Sequence, residues 1–145
     1  PEATEKDRDG DIFLSRYYDI RFSDENIDLA ASQYKRMTEL PGPSSDFFLG
    51  AERTCLMGEI SALLGDVDGA DLNFSQSLVN CRDKGWKPSL AWTLFKYADF
   101  LLKRDEEGGR DKAGPMLDEA LKLATDMGME PLMQSVLSKR EILKA

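Results

Sequence analysis

The chain has 145 residues, the size of one ordinary domain, with 41% of them hydrophobic and 32% charged. A formal net charge of −8 speaks against direct nucleic-acid binding, and a histidine count of 0 removes the commonest general base and metal ligand. No apolar run approaches the roughly 18 residues of a membrane span, and two cysteines without metal spacing, Cys55 and Cys81, predict a reducing cytoplasm rather than a disulfide framework.

Residues 1–10 are polar and acidic, which reads as a linker and not as a signal peptide. A chain that opens on Pro1 rather than Met is expected to be a piece of something longer. Asp7-Arg8-Asp9-Gly10-Asp11 imitates the start of a calcium loop. Its sixth and twelfth positions hold Ile12 and Tyr18, where a Gly and a bidentate Glu are required, so the segment stays a linker.

From residue 11 to 145 the pattern is all-α. The first helix is expected at about Asp11–Phe22, with Ile12, Leu14, Tyr17, Tyr18 and Ile20 as its apolar set. A second covers about Asp24–Leu40, where Ile27, Ala30, Ala31, Tyr34, Met37 and Leu40 recur at helical spacing. Pro41-Gly42-Pro43-Ser44-Ser45 is a turn that supplies a serine cap to a third helix, about Asp46–Leu64. Asp66-Val67-Asp68-Gly69 turns the chain into a fourth, about Val67–Lys84. Helices at about Pro88–Arg104, Asp111–Met127 and Pro131–Lys144 complete the set of seven. Gly108-Gly109-Arg110-Asp111-Lys112 lacks the Gly-Lys-Ser/Thr ending and preceding strand of a phosphate loop, and reads as a solvated turn.

The chain also repeats. Gly85-Trp86-Lys87-Pro88 is echoed by Gly128-Met129-Glu130-Pro131, and Ala70 by Ala113, both at a spacing of 43 residues. A left-handed Gly ends one helix and a Pro in the first turn starts the next, so the motif reads as a helix–helix junction used twice.

Gly58, Gly65, Ala70 and Phe74 in one hairpin, and Tyr97-Ala98, Ala113, Leu117 and Ala120 in the next, resemble the tetratricopeptide pattern. Tyr17-Tyr18, Ala30 and Tyr34 continue it in the first hairpin, without a crossing glycine. The resemblance implies a right-handed superhelical array of about three helical hairpins plus a capping helix. Small residues there let two helices approach, and the aromatic fills the space between hairpins. Ala91 to Arg104 and Asp111 to Met129 further resemble the C-terminal repeats of bacterial LuxR-type regulators and of cyclase-associated regulatory ATPases. That likeness implies a regulatory segment of a larger signalling protein.

No Ser, Cys or carboxylate constellation satisfies the needs of catalysis, so the chain is expected to be no enzyme and to need no cofactor. In arrays of this type the first helix of each hairpin lines a concave groove. The repeat register places Ile12, Arg16, Asp19, Glu52, Glu59, Trp92, Phe95, Lys96, Asp99 and Lys103 on or near it. Arg16, Glu59, Trp92, Phe95, Lys96, Asp99 and Lys103 are the candidate binding residues; Trp92 and Phe95 could equally pack against the adjacent hairpin. Tetratricopeptide domains that grip chaperone C-termini use a Lys, Arg and Asn cluster, whereas Cys55 and Glu59 occupy the central positions here, so that ligand is not expected. The expected partner is a protein or peptide, including another domain of the parent chain, with no nucleic acid and no membrane. A small-molecule effector site and a structural or homodimerising spacer are the alternatives.

Overall fold

The structure is a computed structural model that describes residues 48–104 and 106–144, together with Ala31, Ser32 and Lys35, which are helical. The described part of the chain forms five helices: α1 (Phe48–Leu63), α2 (Val67–Lys84), α3 (Lys87–Arg104), α4 (Gly109–Met127) and α5 (Glu130–Lys144). No strand occurs among the described residues, and no helix there is long and apolar enough to cross a membrane. The expected helices at 11–22 and 24–40, the turn at 41–45 and the acidic linker lie outside the described residues, apart from the three positions named.

Three of the helix junctions are built alike. Gly65, Gly85 and Gly128 all have φ between 67° and 78°. The Gly85 N–H donates to Arg82 O and the Trp86 N–H to Cys81 O, at 3.3 and 3.0 Å. At Gly128 the same pair runs to Thr125 O and, from Met129, to Ala124 O, at 3.2 and 2.8 Å. Gly65 and Asp66 repeat it on Ala62 O and Ser61 O. This is the double hydrogen bond of a Schellman turn, which uses carbonyls that the helix end would leave bare. At Gly65 the next helix also gains an N-cap, because Asp66 Oδ1 accepts from the Gly69 N–H at 3.0 Å.

The fourth junction differs from the expected solvated turn. Gly108, with φ of 82°, starts α4 directly, so the helix begins at Gly109 rather than near Asp111. Gly109 is buried, and a Cβ placed on it would stand 3.0 Å from the Leu101 carbonyl oxygen. A side chain would crowd the α3 backbone where α4 begins, so this glycine suits a close approach of the two helices.

The chain divides inside α2 into two compact units, Pro1–Asn73 and Phe74–Ala145. In the first, α1 buries Thr54, Cys55, Leu56, Ile60 and Ser61, and Asn73 Nδ2 donates to Ser61 Oγ across the hairpin at 3.4 Å.

In the second, the Phe74 ring stacks on Tyr97 with centroids 5.2 Å apart and tilts against Phe100 at 5.7 Å. Between α2 and α3 a buried hydroxyl pair, Ser77 Oγ and Thr93 Oγ1, closes at 3.1 Å and satisfies both polar groups. α3 packs on α4, α4 on α5, and α3 also reaches α5.

The 43-residue spacing governs burial as well as turns. Ala70, Phe74, Ser77 and Cys81 of α2 are each at most 1% exposed, and so are Ala113, Leu117, Ala120 and Ala124 of α4, their equivalents one repeat on. Cys55 and Cys81 are buried free thiols. The same offset carries Ser89 and Thr93 of α3 onto Leu132 and Val136 of α5, all buried. It carries Ala91, Leu94, Ala98 and Leu101, buried on α3, onto Gln134, Leu137, Glu141 and Lys144, all exposed on α5. One face of α5 is therefore buried like that of α3 and the other is wet.

Candidate binding face on α3

α3 buries Ser89, Leu90, Ala91, Thr93, Leu94, Tyr97, Ala98, Phe100 and Leu101. Of its other residues, Trp92, Phe95, Lys96, Asp99 and Lys103 recur at three- and four-residue steps and therefore form a stripe on one side of the helix, while Lys87, Pro88, Leu102 and Arg104 lie toward its two ends. Trp92, Phe95, Lys96 and Asp99 are half-buried and Lys103 is exposed. The rings of Trp92 and Phe95 meet edge to face with centroids 6.3 Å apart, which holds two aromatic surfaces in a fixed relation.

Asp99 anchors the stripe. Its Oδ2 is 3.0 Å from Lys103 Nζ one turn along α3, and its Oδ1 is 2.5 Å from Lys139 Nζ on α5. Burial pushes the Asp99 carboxyl up; hydrogen bonds and charge from Lys139 and Lys103 outweigh that and hold it below the usual carboxylate range. Side-chain exposures of 20% for Asp99 and 27% for Lys139 make this pair far less solvated than Lys103, at 72%. Two ammonium groups thus converge on one carboxylate, and the trio carries a net positive charge.

A second bridge joins helices two apart in the chain. Arg82 on α2 donates from Nη1 and Nη2 to both oxygens of Glu119 on α4, at 2.7 and 2.9 Å. The hydrogen bond to Arg82 holds the Glu119 carboxyl low, against a smaller upward push from burial. Arg140 and Asp118 make a looser contact between α5 and α4 at 3.3 Å.

Five of the seven candidate residues therefore share one face, and Lys139 joins them although the sequence did not single it out. One signal for it was present: Lys139 stands 43 residues after Lys96, at the equivalent position of the next repeat. Glu59 lies apart, on α1 in the other compact unit, where Cys55 Sγ donates to its Oε1 at 4.0 Å. Arg16, Ile12 and Asp19 are outside the described residues, as is the side chain of Glu52. Among the described residues no cluster of His, Cys, Asp or Glu could hold a metal ion. In comparisons with family profiles, curated proteins and solved structures, nothing matches this chain.

Proposed function

We propose that this chain is a non-catalytic helical-repeat module of the tetratricopeptide type, that its α3 face binds a protein or peptide, and that it serves a larger cytoplasmic signalling or regulatory protein. The observation that carries the reading is the stripe Trp92–Phe95–Lys96–Asp99–Lys103, which combines two half-exposed aromatic rings with cations on a helix whose opposite side is buried. Aromatic residues next to cations are the usual composition of an interface hot spot.

Support for a repeat array comes from the helix pairs that ion pairs bridge. Arg82–Glu119 links α2 to α4 and Asp99–Lys139 links α3 to α5, so each bridge joins helices that hold equivalent places in successive repeats. Stacked hairpins bring such helices side by side. The common 43-residue register of turns and buried positions, and the wet face of α5, point the same way.

The test is capture of a partner from the native host by the full chain, followed by Trp92→Ala combined with Lys96→Glu. The folded double variant is expected to lose that complex with its helicity unchanged. Unaltered affinity would move the binding site to another surface.

A further inference from the structure

If the α3 face is the binding face, its charge says what it binds. Asp99, Lys103 and Lys139 carry two positive charges and one negative, a surplus of one positive charge on a chain whose net charge is −8. At physiological ionic strength charges more than about 8 Å away are largely screened, so the local surplus and not the global charge acts on a docked ligand.

Each lysine ammonium has three N–H donors. Asp99 holds Lys139 at 2.5 Å and Lys103 at 3.0 Å from opposite sides of one carboxylate. It fixes where the two ammonium groups stand and leaves donors on each for a second acceptor. One and two turns back along α3, Phe95 and Trp92 offer half-exposed rings on the same side.

The geometry points to an acidic peptide segment as the occupant of this face, with Asp or Glu side chains on Lys103 and Lys139 and a neighbouring apolar side chain on Trp92 and Phe95. Asp99 is then a positioning residue. It spends part of the local positive charge to order the two lysines, which lowers the entropy lost when a ligand carboxylate binds. This inference rests on the binding role proposed above and adds the chemistry of the partner.

The experiment is selection of a random peptide library on the full chain, displayed so that no peptide has a free C-terminal carboxylate. The expected winners are enriched in Asp and Glu and carry an aromatic or branched aliphatic residue. Their affinity falls when salt rises from about 0.05 M to about 0.5 M. It also falls about tenfold in the variant Lys103→Gln with Lys139→Gln. Should that variant fail to fold, Lys103→Gln alone removes an exposed cation without disturbing the core, and a loss of about threefold is expected. Neutral or basic winners that Trp92→Ala weakens would overturn the acidic partner and leave the binding face standing. Winners of any charge that Trp92→Ala does not affect would overturn both, as would a library without binders.

Discussion

Asp99 on α3 and Lys139 on α5 are 40 residues apart in the chain and 2.5 Å apart in the fold. Their pair ties α5 to the helix that carries the candidate binding face. Because both partners are half-buried, removing one leaves the other charge partly desolvated and without its counter-ion.

The Asp99 carboxyl titrates lower in the fold than in the unfolded chain, so it adds stability at neutral pH. That contribution is complete above the unfolded value of about 3.9 and disappears as pH falls through the lower folded value. Asp99→Asn is expected to cost roughly 1–2 kcal/mol at pH 7. The gap between variant and parent should begin to narrow below about pH 4 and close only once the pH lies beneath the lower folded value. Denaturant midpoints across the acid range would check this, and a gap independent of pH would show that the lost interaction is not ionic.

Ala70 and Ala113 are fully buried at equivalent positions of α2 and α4. Ala70→Leu and Ala113→Leu should each destabilise by about 1–3 kcal/mol, since three extra carbons must displace packed neighbours. Glu107→Ala, in the exposed turn before α4, is the near-neutral control. Melting within a degree of the parent for both leucine variants would refute the shared register.

Gly128 closes α4 at φ of 67° with nothing within 4 Å of a Cβ placed there. Gly128→Ala is therefore expected to lose about 1 kcal/mol through backbone strain alone, not through a clash. Gly114, inside α4 with an ordinary φ, directly precedes Pro115, whose ring crowds a Cβ on the helical residue before it, so Gly114→Ala should gain little of alanine's usual helix benefit. Thermal melts should place Gly128→Ala below the parent and Gly114→Ala close to it.

Pro115 sits on the exposed side of α4, well past its first turn, where the ring cannot supply an N–H to Asp111 O. Pro115→Ala should restore that hydrogen bond and stabilise the protein by about 1–3 kcal/mol. Faster amide exchange around residue 111 in the variant than in the parent would contradict the account.

The sequence alone was sufficient for the five described helices, to within two residues at most ends, and for the junctions at Gly85 and Gly128. Those features depend on neighbours in the chain: a left-handed glycine, a proline in the first turn, and apolar residues at helical spacing. The face that joins Trp92, Phe95, Lys96, Asp99 and Lys103 was legible for the same reason, because residues four and seven apart share one side of a helix wherever it packs.

Tertiary structure decided the rest. Whether Asp99 meets Lys139, Arg82 meets Glu119, or Gly109 lies against the Leu101 carbonyl depends on how far each helix turns about its axis and how closely it approaches the next. Periodicity sets which side of a helix is apolar. The rotation and distance that bring one charge against another come from the packing of whole side chains across a crossing, where a small residue such as Gly109 permits an approach that its local sequence, read as a wet turn, does not announce.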